Sequence, residues 1–246
     1  MFFRHKGEFS SVVSISTDDM VISGNTIESI NWVKGEFKKQ FEVSDLGEIK
    51  WLLGLEVKYN KAVCTLSISQ NVYIDKLVKR FGLNDANTIS TPFKPKPGTT
   101  LSSDQSLSTP RQTTNMQNIP YKELVGSVAW SMLTTQPDIL VPSLTLLQFM
   151  QNPGRAHWEA GKHVVHYLKG TCNYVLNLTD PDKGIIAYVD TDWGSQHHQH
   201  SISGHIVSLT GMPIVWGLKK QSIVTLLSME AKYDAMTNTF KDILWL

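Results

Sequence analysis

Two carboxylates stand side by side at Asp18-Asp19, between runs rich in β-branched residues. On a flat strand, neighbours point to opposite faces. At a tight turn both can approach one cation. Mg²⁺ takes a few carboxylates together with substrate phosphates, and two such ions clamp a phosphoryl transfer. Turns also favour Asp for local backbone hydrogen bonding, so the pair alone reads first as a turn. A second acidic group is Asp190, which closes the apolar run Ile185–Val189 and precedes Asp192. A carboxylate at a strand end sits where sites in α/β folds form. Glu230 follows Leu227-Ser228-Met229, early in the last apolar helical pattern. A strand Asp and a helix Glu can share a divalent cation if helix and strand pack. Spacing alone favours solvated rim carboxylates.

The histidines do not predict a metal centre. His197, His198 and His200 cluster near His205, and His163 and His166 are three apart on a predicted helix. No cysteine accompanies them, and the helical pair lacks the i, i+4 spacing of a zinc site. The loop 194–204 is too irregular for a phosphate cradle. No Gly-x-Ser-x-Gly or paired-Cys motif occurs, so hydrolase and redox readings have no starting point.

Composition narrows the classes further. The chain has 246 residues with 23 Lys plus Arg and 22 Asp plus Glu, a formal charge of +1. Charged residues are 18%, below the ~25% of an average soluble chain. That excludes a polybasic tail protein and a highly charged disordered chain. It gives no electrostatic reason to expect nucleic acid, so such a reading must rest on a site. An apolar fraction of 41% can fill a core, and seven Trp, seven Tyr and nine Phe argue against disorder. Cys64 and Cys172 lie in apolar or strand-like runs and read as two reduced core thiols. A reducing, intracellular location is expected. The N-terminus carries no secretory signal, and no run approaches the ~20 apolar residues of a membrane span.

Three parts must position these residues. Residues 9–23 read as two short strands joined by the acidic turn Ser16-Thr17-Asp18-Asp19. Residues 26–41 space Ile27, Ile30, Val33, Phe37 and Phe41 as an amphipathic helix, broken by Asp45-Leu46-Gly47. Leu52–Tyr59 and Ala62–Ser69 read as a hairpin around Asn60-Lys61. Asn71–Phe81 reads as a helix with Tyr73, Ile74, Leu77, Val78 and Phe81 on one face and Gly82 as its stop. Residues 88–114 hold twelve Ser or Thr plus four Pro and read as an open linker at an interdomain boundary. Tyr121–Leu133, Ile139–Met150 and a segment ending at His166–Leu168 then read as helices. Tyr174–Leu178, Ile185–Val189, His205–Leu209 and Ile214–Trp216 read as strands, and residues 226–246 as a last helix. The apolar pattern still runs at Leu246, which predicts a truncated domain.

In this order the pieces resemble the C-terminal part of the Pol polyprotein of copia-type retrotransposons, over nearly the whole chain. Asp18-Asp19-Met20-Val21-Ile22-Ser23-Gly24 resembles the reverse transcriptase Tyr-x-Asp-Asp box and its following strand. The matches continue through Phe41–Gly47, Leu53–Val57, Leu66–Ile74 and Ser90-Thr91-Pro92. After the linker come Tyr121–Ser127, Thr134–Ile139 and Tyr167–Thr171. Tyr188-Val189-Asp190-Thr191-Asp192-Trp193 resembles the start of ribonuclease H. Ser201–Gly204, Trp216–Gln221 and Leu227–Tyr233 follow in the same order.

The resemblance implies an α+β fold: a partial reverse transcriptase palm and helical thumb/connection, then a truncated ribonuclease H-like α/β domain. Residues 1–87 would be palm end and thumb, 88–119 a linker, 120–180 the connection helices and 181–246 the ribonuclease H-like part. Asp18 and Asp19 would be metal-binding carboxylates of the polymerase. Asp190 and Glu230 would be the first two carboxylates of the nuclease. The ancestral cofactor would be Mg²⁺ or Mn²⁺. The partners would be an RNA/DNA hybrid or DNA and other parts of the polyprotein, with no membrane. Ser16 stands where the family has the Tyr of its box, Gln136 and His200 stand where it has Arg, and Lys232 replaces an acidic residue. Both metal sites lack carboxylates, which predicts a chain inactive in RNA-directed DNA synthesis and in RNA cleavage. Asp234, one helical turn after Glu230, is a candidate substitute ligand. Two alternatives stand beside this: a retained nucleic-acid-binding module using Lys34, Lys38, Lys39, Lys76, Lys79 and Arg80, or one part of a longer active Pol protein.

Overall fold

Alternating β-branched residues make the first sheet. In a computed structural model that describes residues 1–93, 101–179, 183–192, 201–225 and 227–246, β1 (Phe2–Lys6), β2 (Phe9–Ser16) and β3 (Asp19–Gly24) form an antiparallel sheet in the order β1-β2-β3. The predicted acidic turn is confirmed. Val13 pairs with Ile22 and Ser16 with Asp19, leaving Thr17-Asp18 as a two-residue tip. Sequence reading missed β1, whose Arg4, His5 and Lys6 mask any apolar alternation in this edge strand.

The first helix, α1 (Ile27–Gln40), begins where Thr26 Oγ1 accepts the Ser29 N–H at 3.1 Å. Glu28 lies in its first turn and Lys38 and Lys39 in its last, as the helix dipole favours. It packs on β2 and β3 and buries Ser29 and Val33. Of the predicted apolar stripe only Val33 is buried, whereas Ile27 and Phe41 stay 73% and 63% exposed. After α1, Asp45 accepts hydrogen bonds from Gly47 N–H and from Lys34, each at 3.0 Å. The Gly47 amide, then Lys34, holds the Asp45 carboxyl below its usual range. β4 (Trp51–Leu52) and β5 (Leu55–Asn60) pair across Leu53-Gly54, both in the left-handed region at φ +51° and +81°. Gly54 takes that conformation without strain.

The chain divides into two compact units, Met1–Lys58 and Tyr59–Leu246. In the second, β6 (Thr65–Ser69) leads into α2 (Asn71–Arg80). Ile74, Leu77 and Val78 of its predicted face are buried, and Gly82 ends it at φ +65°. Cys64 lies exposed in the turn before β6, which corrects its assignment to the core; Cys172 is half-buried.

Part of the Ser/Thr-rich segment is ordered, contrary to the expected open linker. It contains a 3₁₀ turn at Ser103–Gln105 and a helix α3 (Pro110–Met116), and Met116 is buried. The missed signal is a capping box: Thr109 and Gln112 bond each other's backbone N–H, with Pro110 at the first helical position. Residues 94–100, with Pro95 and Pro97, lie outside the described residues.

The helices α4 (Tyr121–Thr134), α5 (Leu140–Leu147) and α6 (Arg155–Gly170) join α2 around one core. Its fully buried members include Ile74, Leu124, Val128, Leu146 and Leu168. The two helical histidines serve structure. His163 Nε2 and His166 Nδ1 donate to the carbonyls of Thr91 and Asn87, and Lys169 holds those of Asn84 and Ala86.

β7 (Val175–Leu178) pairs antiparallel with β6. The last sheet runs in the order β10-β9-β8, from β8 (Ile185–Asp192), β9 (Ile202–Leu209) and β10 (Met212–Lys220). These strands are longer than predicted, because Gly204, Gly217 and Lys219 interrupt the apolar alternation. The helix α7 (Ser228–Trp245) packs on β8 and β9. Among the described residues the fold is thus small antiparallel sheets plus seven α-helices, compatible with α+β. No helix among them is long and apolar enough to cross a membrane.

Candidate functional site

The hairpin register places both members of the first acidic pair at a tip. Asp18 is in the turn and Asp19 opens β3 opposite Ser16, and both side chains are exposed. Thr17, before them, is held at φ +50°, a conformation uncommon for a β-branched residue. The tip thus offers two solvated carboxylates on one short reversal.

The second acidic pair is arranged differently. β8 continues through Asp192, so Asp190 lies within the strand rather than at its end, opposite Gly204. Its Oδ1 accepts the N–H of Thr191 at 2.8 Å. Alternation along β8 decides where it points. Val189 lies opposite His205, and His205 Nε2 meets Asp242 of α7 at 3.0 Å. The α7-covered face therefore carries Ala187, Val189 and Thr191, all half-buried, while Tyr188, Asp190 and Asp192 are exposed on the other. Glu230 sits in the first turn of α7, where its Oε2 accepts the Leu227 N–H at 3.3 Å. The predicted sharing of one cation by Asp190 and Glu230 is not favoured by this arrangement. The strand carboxylate faces away from the helix, and the helix carboxylate serves its own N-terminus.

Asp234, the candidate substitute ligand, is half-buried and accepts from Asn238 Nδ2 at 3.4 Å. Trp193, His197, His198 and His200 lie outside the described residues. Among the described residues no three His, Cys, Asp or Glu side chains gather in a way that could hold a metal ion. Among the described residues Asp18-Asp19 form an exposed pair and Asp190 and Glu230 stand apart, whereas a two-metal centre needs several carboxylates converging on both ions.

The basic candidates are thinned by internal pairing. Lys34 binds Asp45 at 3.0 Å, Lys39 binds Glu36 at 2.7 Å and Arg80 binds Glu123 at 2.5 Å. Lys76 and Lys79 remain exposed on α2. Sequence reasoning missed Gln221 as a structural residue. It is buried, and its amide reaches both Ser203 and Ala231. A lone Gln after Lys219-Lys220 carries no signal of this in the sequence.

Residues 1–95 match the family model described as reverse transcriptase (RNA-dependent DNA polymerase). Over its whole length the chain is 32% identical to a retrovirus-related Pol polyprotein from transposon TNT 1-94 of Nicotiana tabacum, covering 18% of that protein. It is also 32% identical over its whole length to a retrovirus-related Pol polyprotein from transposon RE1 of Arabidopsis thaliana, covering 16% of it. A putative transposon Ty5-1 protein of Saccharomyces cerevisiae is 26% identical over 99% of the chain, which covers 77% of that protein. No solved structure gives a significant match. The chain spans less than a fifth of the two plant polyproteins. The ordered motifs, the reverse transcriptase match and full-length similarity to these polyproteins agree: the chain belongs to the Pol polyprotein family of copia-type retrotransposons.

Proposed function

We propose that this chain is a segment of a copia-type Pol polyprotein that performs neither of its ancestral reactions by itself. In this reading residues 1–87 descend from the end of the polymerase palm and the thumb. Residues 88–119 are a connecting segment that carries α3, 120–180 connection helices and 181–246 the start of a ribonuclease H-like domain. Those ancestors made DNA on an RNA template and hydrolysed RNA in RNA/DNA hybrids, using divalent metal held by carboxylates. The observation that carries the reading is the divergence of the acidic pairs. Asp190 projects from the face of β8 that α7 does not cover. Glu230 caps α7. Asp18 and Asp19 stand exposed at a hairpin tip. Two-metal phosphoryl transfer needs ligands preassembled around both ions.

The test is a pair of assays on the purified full chain with Mg²⁺ or Mn²⁺. One follows extension of a DNA primer on an RNA template, the other cleavage of a labelled RNA/DNA hybrid. No product in either is expected. Metal-dependent product that disappears in Asp18→Asn or Asp190→Asn overturns the reading.

A further inference from the structure

His157, in the first turn of α6, is fully buried, and its ring stacks on Phe149 with 4.0 Å between centroids. Nδ1 accepts the N–H of Gly154, the residue that caps the helix, at 2.8 Å. A ring nitrogen that accepts carries no proton, so the neutral imidazole holds its one proton on Nε2. Nε2 is buried without a well-aligned partner, although the Ser102 carbonyl lies close enough to the ring to favour its charged form.

A strap, Leu101–Leu107, packs against this start of α6, with the 3₁₀ turn Ser103–Gln105 at its centre. Its grip is light. Leu101 rests half-buried on the helical core. The Gln105 carbonyl lies so close to Gly154 that a methyl there would overlap it. The Leu107 carbonyl accepts from Asn152 Nδ2 at 3.1 Å. The turn itself is closed internally, by Gln105 and Ser106 N–H on the carbonyls of Ser102 and Ser103.

A second proton on the ring can go only to Nδ1. There it meets the Gly154 N–H, donor against donor, and the bond that seats the ring is lost. It also places a cation in the first turn of α6, the end that the helix dipole disfavours for positive charge, and away from water. Burial outweighs the Ser102 carbonyl and holds the imidazole below its usual range. Surrounding charges do not compensate. Residues 148–154 and α5 carry none. Asp104, Arg111 and Lys122 are exposed. Glu123 is taken by Arg80, and Glu159 by Arg155 and Lys162.

We infer that His157 is the latch of a pH-operated strap. The neutral ring seats Leu101–Leu107 over the start of α6. The charged ring must reach water, and the strap comes away, uncovering Phe149 and the Gly154 end of the helix while the core of α2, α4 and α6 stays folded. The device uses none of Asp18, Asp19, Asp190 or Glu230, so it stands or falls independently of the catalytic reading.

The test follows ¹⁵N relaxation of the full chain from pH 7.5 to 4.5. Amides of Ser103–Ser106 are expected to fall from an order parameter of about 0.85, typical of rigid backbone, to below about 0.6, through one midpoint under pH 6.5. Those of Leu124–Val128 in α4 stay rigid throughout. His157→Gln can still accept the Gly154 N–H but does not titrate, and its strap stays ordered at every pH. Gly154→Ala, whose methyl overlaps the Gln105 carbonyl, frees the strap already at pH 7.5 and reads the contact without using the histidine. A strap that stays rigid to pH 4.5 in the parent overturns the inference. So does release that persists in His157→Gln, a Gly154→Ala strap as ordered as the parent's, or loss of order in α4 at the same midpoint.

Discussion

Gly126 and Gly161 sit inside α4 and α6, and alanine at the two positions is expected to act in opposite directions. A methyl at Gly126 meets nothing within 4 Å, whereas one at Gly161 comes within 2.7 Å of Leu124 Cδ2. Alanine is worth about 1 kcal/mol over glycine in a helix interior. At Gly126, which is exposed, nothing opposes that gain, so Gly126→Ala stabilises by about 0.5–1 kcal/mol. At Gly161 the neighbour must yield. Leu124 is fully buried in the cluster with Ile74, Val128 and Val164. Driving such a side chain from its rotamer costs about 1–3 kcal/mol. Set against the helix gain, Gly161→Ala is expected to destabilise by about 0–2 kcal/mol. Leu124→Ala alone opens a cavity and costs about 2–5 kcal/mol. In the double variant the clashing Cδ2 is gone, so the loss falls short of the sum of the singles by about 1–3 kcal/mol. Urea unfolding followed by tryptophan fluorescence reads all four proteins, with Trp158 of α6 packed against this core as a reporter. A Gly161→Ala protein as stable as Gly126→Ala, or a strictly additive double variant, would refute the packing described for α4 against α6.

Other expectations follow from single sites. His157 is fully buried, its Nδ1 accepts the Gly154 N–H at 2.8 Å, and burial pushes its imidazole below the usual 6.5. The unfolded chain then binds the proton more readily than the folded one. Stability is fully present above pH 6.5 and declines as pH falls below it. Thermal melts at pH 7.5 and 5.5 should show this decline, and His157→Gln should flatten it. Asp18→Asn, at an exposed hairpin tip, should leave the thermal midpoint within about 2 °C of the parent. Arg80 and Glu123 form an exposed ion pair. Arg80→Ala should therefore cost less than about 1 kcal/mol, measured by the same urea series.

Much of this fold is legible in the sequence where apolar spacing and punctuation agree. The α2 helix shows its buried face in Ile74, Leu77 and Val78, and its end in Gly82. The β2–β3 hairpin is visible because β-branched runs flank an acidic turn. What escapes is structure whose signal is polar. The edge strand β1 reads as charge, and α3 reads as linker because Ser and Thr dominate it, although its capping box is written in Thr109 and Gln112. Amphipathic spacing also overstates burial. Ile27 and Phe41 lie on the apolar side of α1 yet remain exposed, while the helix buries only Ser29 and Val33.

The candidate site divides along the same line. Residue types identify Asp18, Asp19, Asp190 and Glu230 as the acids of interest. Which face each occupies is set by register, and register is a tertiary property. The pairing of Val189 with His205, and of His205 with Asp242, turns Asp190 from α7. No local spacing announces that. The conversion of Glu230 into a helix cap is equally invisible until the Leu227 N–H is seen to need a partner. Gln221 is the clearest case, because its role depends on a strand and a helix brought together from separate parts of the chain.

The central claim is that the acidic residues of this Pol segment are not assembled for phosphoryl transfer. The most direct measurement is one incubation of the purified chain with a labelled RNA/DNA hybrid, with and without Mg²⁺ or Mn²⁺, read for cleavage and for gel shift across a salt series. The account predicts intact hybrid at every metal concentration. Any shift should weaken with salt as expected for the few exposed lysines of α2. Metal-dependent cleavage abolished by Asp190→Asn would contradict it.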